Sequence, residues 1–401
     1  MKHAWRIPAL GIVLLFACRG TPPSAQSIDE RQLARLVDSL MPAVSKAAGR
    51  AFKSTPRSAV RSREQIRAYL VAKVARELPP ERLEGITDTY RLLGMVPDSV
   101  DLRRLFIDLY TEQIAGFYDP DSTTLFAVAG ADPAQLRLVL AHEMVHALQH
   151  QYLALDSILR DASDGDRQSA AQAVLEGQAT IASLVALVPG MDLLDNDGFW
   201  NSFRAQLRLQ QTGTTVFARA PMAVREGLVF PYVDGAGFMR WFDKAHPGEE
   251  PYGAAMPSST EQILHTDHYA AHDQPIKVRF RGDTAAMIFE DTFGEFDIDL
   301  LLASLHHADA VKTDSALGWG GDRFRVYRTT DGPALVWVTV WDTPSAAAGF
   351  RAAAADLDQD RRPGYRNLVE PVTLGRNAAV RVVIAPASWA GWRAPPVAIL
   401  P

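Results

Sequence analysis

The sequence predicts an α+β protein, mostly helical with a short sheet and followed by a small C-terminal α+β domain. Apolar residues recur at three- and four-residue spacings through residues 28–110, which is typical of amphipathic helices. A long segment, 133–153, has helical character and no internal Gly or Pro. Beyond residue 276 the pattern changes to strands and one Ala-rich helix. The predicted strands are 324–329, 334–341 and 378–384, and the helix lies near 345–357.

Composition limits the class of protein. The chain has 401 residues, of which 47% are apolar and 22% charged, as in ordinary folded proteins. This length predicts two or three domains. The formal net charge of −6 comes without a basic cluster, which argues against a nucleic-acid-binding protein.

The N-terminus has the pattern of an export signal. A basic start precedes the apolar run 7–17, which is too short to span a bilayer and fits a signal-peptide core. The run ends at Cys18, the only cysteine, so disulfides are excluded. This end resembles a bacterial lipoprotein signal, which implies a signal peptide at 1–18, lipidation of Cys18, a tether at 19–27 and an exported protein anchored to a membrane of the cell envelope. An ordinary cleaved signal is the alternative.

Helices and a hairpin are predicted between residues 111 and 275. Strand-like runs at 114–118 and 124–128 flank the turn-forming Asp119-Pro120-Asp121-Ser122. Asp132 and Pro133 then begin the long helix with an N-cap and a first-position proline.

A second long helix is predicted at 169–188. Residues 198–245 also have helical character, with a loop near Pro221 and Pro231, and the Pro/Gly-rich segment 247–258 is a connection. These elements predict three structural parts after the tether. They are an N-terminal helical segment at 28–110, a central domain at 111–275 and a C-terminal domain at 276–401.

The long helix contains His142-Glu143-Met144-Val145-His146, an HExxH motif. Residues four apart lie on one helix face, so both imidazoles can bind one zinc ion, while Glu143 can address a water on that ion. Zinc lowers the pKa of such a water to about 7, and Glu143 is predicted to accept its proton as general base. Random placement would give this motif in less than about 3% of chains of this composition.

A catalytic zinc also needs a third protein ligand. His150 lies about 12 Å from His142 along the helix, which is too far for one ion. The metzincin spacing would require Gly and His where Gln149 and Tyr152 stand. Glu176 in the next helix remains, because a carboxylate in that apolar stretch needs a buried partner. The alternative is a solvated Glu176 on a polar helix face.

The HEMVH motif with Glu176-Gly177-Gln178-Ala179 resembles the gluzincin group of zinc peptidases, whose third ligand is a Glu on the following helix. Thr180 stands where that group often has Asp. The chain is more narrowly similar, over about 100–345, to uncharacterised bacterial gluzincin-like proteins. The resemblance also includes 116–120 and 257–265, and it implies a zincin-like fold with one Zn²⁺ held by His142, His146 and Glu176.

Zinc-dependent hydrolysis of peptide bonds in the cell envelope is the predicted function, with a peptide or protein as substrate. Two alternatives stay open. One is a catalytically inactive zincin scaffold that serves as a binding lipoprotein, although a binding protein needs no base beside its metal. The other is zinc-dependent hydrolysis of a non-peptide amide.

Several further residues are candidates for parts of this site. Tyr232, His265, His268 and Tyr269 are candidate donors to the transition state. Ser258 and Glu261 have the spacing of a capping box. His265, His268 and His272 could bind a second metal, but scattered loop histidines are the favoured interpretation.

Two of the predicted strands allow a more specific prediction, one about substrate binding and one about the core. In gluzincins the strand before the HExxH helix pairs with extended peptide, and Thr124–Val128 occupies that place here, with a plain sheet edge as the alternative. Trp337 and Trp341 lie on one face of a predicted strand and are expected in the core.

Overall fold

The computed structural model describes most of the chain from residue 28 onwards. The described residues are 28–155, 158, 164–210, 215–281, 284, 286–308, 310–312, 316–358, 362–393 and 397–399. The predicted signal peptide 1–18 with Cys18, and the tether 19–27, lie outside this part of the chain. Helices and antiparallel sheet both occur, so the predicted α+β class is confirmed.

Helices make up most of the described residues before position 275. The helices are α1 (Glu30–Ala47), α2 (Arg63–Glu77), α3 (Pro80–Leu92), α4 (Leu102–Gln113), α5 (Pro133–Tyr152), α6 (Gly165–Leu187), α7 (Asp197–Gln210), α8 (Val216–Arg219), α9 (Met222–Ala245), α10 (Thr260–Leu264), α11 (Thr266–Ala270), α12 (Gly294–Leu305) and α13 (Pro344–Ala353).

The strands form a small sheet near the N-terminus, a two-stranded pair and a larger C-terminal sheet. The strands are β1 (Arg57–Arg61), β2 (Gly116–Asp119), β3 (Thr124–Val128), β4 (Val278–Phe280), β5 (Met287–Asp291), β6 (Trp319–Thr329), β7 (Gly332–Trp341), β8 (Tyr365–Leu374), β9 (Asn377–Pro386) and β10 (Val397–Ile399). The orders are β1-β3-β2, β10-β4 and β5-β6-β7-β9-β8.

The small sheet contains the predicted hairpin and one strand that was not predicted. β2 and β3 pair in antiparallel fashion, which confirms the hairpin. β1, in the segment expected to be mostly helical, pairs in parallel with the other side of β3, with Arg57 opposite Thr124 and Arg61 opposite Val128. Five residues of mixed character give a weak local signal, and such a strand is stabilised chiefly by its partner.

The two long helices begin where local capping groups place them. The Asp132 carboxylate accepts the N–H groups of Ala134 and Gln135 at 3.0 and 2.9 Å, which confirms the predicted start of α5. Helix α6 begins at Gly165, four residues before the predicted start, because Asp164 caps it by accepting the Arg167 N–H. The extra turn brings the helix start against the C-terminal sheet, where Asp291 accepts the Gly165 N–H at 2.7 Å.

Helix α9 packs along α6 and is continuous through Pro231, so the predicted loop near that residue is wrong. Pro221 does mark a boundary, since it lies just before the first residue of α9. Pro231 removes one backbone hydrogen bond and normally disfavours a helix interior by about 3 kcal/mol. The helix is buried on both sides of this position, with Phe230 and Tyr232 2% and 7% exposed, and this packing outweighs the local preference.

One of the described helices, α6, is long and apolar enough to cross a membrane. Of its most apolar window, 67% is buried inside the fold, as in a core helix. The same helix carries the buried Glu176.

The C-terminal sheet and the helical part share one core. β6, β7, β9 and the helix α13 confirm the predicted elements, whereas β5, β8 and α12 were not predicted. Phe230 of α9 stacks on Phe296 of α12 with ring centroids 4.0 Å apart. Trp337 and Trp341 are 0% and 2% exposed, which confirms them as core residues. The domain boundary placed at 275/276 stays a prediction.

Candidate metal centre

Two histidines and one glutamate converge where α5 packs against α6. His142 and His146 lie one turn apart on α5, and Glu176 faces them from α6. Glu176 Oε2 is 3.1 Å from His142 Nε2 and 3.2 Å from His146 Nε2. The two Nε2 atoms are 3.0 Å apart. The structure thus brings the three predicted ligands together at one point.

The spacing of these atoms fits a small tetrahedral ion. Bonds of about 2.0–2.1 Å to such an ion hold neighbouring ligand atoms about 3.3 Å apart, close to the observed separations. His142 and Glu176 are 2% and 3% exposed, whereas the His146 side chain is 14% exposed. The cluster is therefore largely enclosed, and His146 is the most exposed of its three members. Histidine nitrogens and carboxylate oxygens are among the atoms that bind zinc in proteins.

The charges of the cluster are strongly coupled. Burial favours neutral forms, but the facing imidazoles of His146 and His142 together outweigh burial and lower the pKa of Glu176 to about 2. Against the same effect of burial, the Glu176 carboxylate raises the pKa of His146 to about 9. Burial lowers the pKa of His142. The carboxylate is therefore ready to bind a cation, which can take the place of the proton on His146.

Gln149 holds the His146 ring in place. The amide nitrogen of Gln149 donates to the Leu175 carbonyl at 2.9 Å and to Gln178 Oε1 at 3.0 Å, so its oxygen is left to accept from His146 Nδ1 at 2.8 Å. A proton on Nδ1 leaves Nε2 as the atom that can bind a cation in the neutral ring. Such outer partners commonly fix the tautomer and orientation of metal-binding histidines.

Glu143 lies beside the cluster without belonging to it. Its side chain is 1% exposed, and its Oε2 accepts the Tyr118 N–H at 2.8 Å. Its Oε1 has no hydrogen-bond partner among the described residues. Burial raises the pKa of Glu143 to about 8. One oxygen held and the other unbonded is the arrangement expected of a group that exchanges a proton with a bound molecule.

Among the candidate donors, Tyr232 is the one that contacts this cluster in the described structure. It lies on α9, and its ring centroid is 5.8 Å from that of His142. The hydroxyl group of Tyr269 instead donates to the Ala255 carbonyl at 2.7 Å.

The remaining histidines have other partners. His265 pairs with Glu295 at 3.2 Å, and His268 lies 3.1 Å from Asp273, so both belong to a separate acidic cluster. His150 Nδ1 is hydrogen-bonded to the Tyr118 hydroxyl at 2.8 Å, consistent with its rejection as a ligand.

The interpretation of Thr124–Val128 as a peptide-binding strand is wrong. β3 is the central strand of its sheet, with β1 on one side and β2 on the other, so both of its edges are already paired. The strand that faces Glu143 is β2, an edge strand. The Val128 N–H donates to the Ala115 carbonyl, so by the antiparallel alternation the backbone groups of Gly116 and Tyr118 point away from β3.

Sequence reasoning missed the roles of Gln149 and Tyr118. Gln149 lies three residues after His146 on the same helix, a spacing that brings side chains together and could have indicated the contact. The contribution of Tyr118 is its backbone N–H, which leaves no signal in the residue type.

The fold and the cluster define an α+β protein with a buried two-histidine, one-glutamate centre. A family model described as a domain of unknown function, DUF8575, matches residues 283–390. This match lies within the C-terminal part and includes none of the three candidate ligands. Comparisons with curated proteins and with solved structures gave no match. The interpretation of the centre therefore depends on its own geometry.

Proposed function

We propose that the protein is a zinc-dependent peptidase of the gluzincin type, with a zincin-like catalytic domain at 111–275. The observation that carries the proposal is the convergence of His142 Nε2, His146 Nε2 and Glu176 Oε2 within 3.0–3.2 Å of one another. Glu143 lies buried beside them, with one carboxylate oxygen hydrogen-bonded and the other without a partner among the described residues. This arrangement supports catalysis over simple metal storage. A structural zinc site is usually closed by four protein ligands, whereas three ligands leave a position for water or substrate.

Different residues of the chain have separate roles in the proposed peptide hydrolysis. Zinc, when bound, supplies a Lewis acid that acidifies water and polarises the substrate carbonyl. Glu143 accepts the proton of the attacking water and passes it to the leaving amine. Tyr232 is positioned beside His142 to donate a hydrogen bond to the developing oxyanion. Tyr118 N–H holds Glu143 in place through its Oε2.

The edge strand β2 supports a peptide as the substrate. Its outward edge runs beside Glu143, and the Tyr118 N–H is already used by that carboxylate, so a peptide would have to bond to the Gly116 backbone and the Tyr118 carbonyl. An extended peptide can add to such an edge through main-chain hydrogen bonds, which select backbone shape more than side-chain identity. Modest sequence selectivity follows from this mode of binding.

An exported, lipid-anchored location belongs to the same proposal. Its support is the apolar run 7–17 and the single Cys18 that follows it. The substrates would then be peptides or proteins of the cell envelope.

The proposal is tested by zinc content and by cleavage of a mixed peptide library, comparing wild type with Glu143→Gln. We expect equal zinc in both proteins, because Glu143 is not a ligand. Cleavage should fall by about 10²–10⁴-fold in the variant, the usual contribution of a general base. The control is Glu249→Gln, a substitution at a 72% exposed side chain, which should leave cleavage unchanged.

Two outcomes would contradict the proposed function. Cleavage that persists in Glu143→Gln would remove the assigned base. A wild-type protein that holds zinc and cleaves no peptide would favour the inactive scaffold that serves as a binding module.

A further inference from the structure

A second cluster of metal-ligating groups lies outside the site described above. It is formed by Glu261 on α10, His268 on α11 and Asp273 shortly after α11. One ligand atom of each residue lies within 4.8 Å of the others. His268 Nδ1 is 3.1 Å from Asp273 Oδ2 and 3.6 Å from Glu261 Oε1. The cluster therefore combines an imidazole with two carboxylates at one point.

Glu261 is not used as a helix cap, contrary to the sequence prediction. The N-cap of α10 is Ser259, whose hydroxyl accepts the Gln262 N–H, and Gln262 Oε1 accepts the Ser258 N–H at 2.7 Å. The capping residues are thus shifted by one position. Glu261 is instead directed into the interior, with its side chain 5% exposed.

The carboxylate of Glu261 is mostly buried and has His268 as its nearest cationic neighbour. Among the described residues no donor bonds it, and His268 Nδ1 at 3.6 Å lies beyond hydrogen-bond distance. Burial, and then the nearby carboxylate of Glu295, raise the pKa of Glu261 to about 9. An ionised group without compensation in such a place is costly, so the native state needs either a proton or a cation there.

Glu295 provides a second, independent observation beside this cluster. Its side chain is fully buried at 0% exposed, and its Oε1 is bonded to His265 Nε2 at 3.2 Å. Its Oε2 has no partner in the described part of the chain. Buried polar atoms are nearly always bonded, and an exception in a native structure commonly marks an ion or water.

Two buried acids nearby are bonded by protein donors. Asp322 accepts the N–H groups of Phe293 and Gly294 at 2.9 Å and the Trp337 indole N–H at 2.9 Å. Asp166 accepts the N–H of Thr260 at 3.0 Å. The Asp322 and Asp166 carboxylates thus accept protein donors, whereas no donor among the described residues bonds Glu295 Oε2.

We propose that Glu261, His268 and Asp273 bind a second divalent cation, with the free oxygen of Glu295 completing its negative surroundings. A mixed imidazole and carboxylate set suits Zn²⁺ or Mn²⁺. The His268 and Asp273 side chains are 26% and 48% exposed, so the ion can enter from the surface and these two side chains can draw in around it. The bound ion joins α10 and α11 to α12 and stabilises this junction.

The test is a zinc titration of the metal-free full chain by calorimetry, with the bound metal counted by mass spectrometry. We expect two zinc equivalents in wild type and one in His268→Ala. His272→Ala is the matched control, because this exposed histidine lies in the same loop outside the cluster, and it should keep two equivalents. Mn²⁺ serves as a second probe.

A variant that lacks the two histidines of the first site distinguishes the second metal site from the proposed catalytic one. In the double variant His142→Ala/His146→Ala one equivalent should remain, and His268→Ala should remove it. Glu261→Gln gives the same answer if His268→Ala does not fold, because it keeps the side-chain volume and removes only the charge. Equal stoichiometry in Glu261→Gln and His272→Ala, or a double variant that binds no metal, would overturn the second site whatever the outcome for peptide cleavage.

Discussion

Gly177 of α6 and Gly235 of α9 lie in direct backbone contact. A Cβ added to Gly177 would lie 2.3 Å from the Gly235 carbonyl carbon, and one added to Gly235 would lie 2.1 Å from the Ala173 carbonyl oxygen. Glu176 immediately precedes this contact on α6, and Tyr232 lies one turn before it on α9. The absence of two side chains thus lets α9 approach α6 closely enough to bring Tyr232 beside His142.

Gly235→Ala should destabilise the protein, because the new methyl group collides with the backbone of α6, which cannot move away as a side chain can. We expect a loss of about 1–3 kcal/mol in the free energy of unfolding, typical of overpacking. Gly237→Ala is the control, since its nearest neighbour would be the end of Arg204 at 3.6 Å. That substitution should stabilise α9 by about 0.5–1 kcal/mol. Denaturant unfolding of both variants checks the prediction, and equal stabilities would contradict it.

The sequence contains strong local signals for the elements that carry the cluster. Asp132 and Pro133 fix where α5 begins, the His142–His146 spacing fixes their common face, and the apolar surroundings of Glu176 favour its burial. Capping and helical periodicity depend on neighbours within about one turn, so they can be recognised in a single chain.

Features that depend on distant partners could not be recognised in the same way. β1 forms because β3 offers it an edge, and Pro231 stays helical because both sides of α9 are buried. The cap of α10 is shifted from Ser258 to Ser259 because Thr260 is drawn to Asp166, 94 residues away along the chain. In each case tertiary contacts outweigh a weak local preference.

Gln149→Ala should weaken zinc binding at the first site by about 10–100-fold, the usual effect of losing an outer partner of a metal-binding histidine. The reason is that His146 Nδ1 loses its acceptor and the ring its fixed orientation. Gln151→Ala is the control on the same helix, since Gln151 bonds only to Lys53 and Ser54 in the described structure. Competition with a chromophoric chelator gives both affinities. An unchanged affinity in Gln149→Ala would show that Gln149 does not orient His146.

Tyr232→Phe should lower kcat for peptide hydrolysis by about 10²–10³-fold, as expected when one donor to the oxyanion is removed. Zinc content and KM should change little, because the ring that packs near His142 is retained. Tyr269→Phe is the control, because its hydroxyl bonds to the Ala255 carbonyl. Steady-state kinetics on one peptide substrate separate kcat from KM. A kcat equal to that of Tyr269→Phe would exclude Tyr232 as the donor.

Zinc affinity at the first site should rise with pH over an unusually high range. The Glu176 carboxylate raises the pKa of His146 to about 9, so at neutral pH a proton must leave His146 before its Nε2 can bind a cation. Below pH 9 each unit of pH should therefore strengthen binding by at least about tenfold, and zinc binding at pH 7 should release at least one proton, because the Glu143 carboxyl, whose pKa burial raises to about 8, can lose its proton as well.

This pH dependence can be measured in the His268→Ala protein, where the second cluster does not contribute. Calorimetry in two buffers of different ionisation enthalpy counts the protons released, and competition titrations between pH 6 and pH 8 give the slope. An ordinary histidine has a pKa near 6.5 and is already deprotonated above that value. An affinity that levels off above about pH 6.5 would mean that Glu176 does not hold a proton on His146. It would contradict the claim that the Glu176 carboxylate raises the pKa of His146.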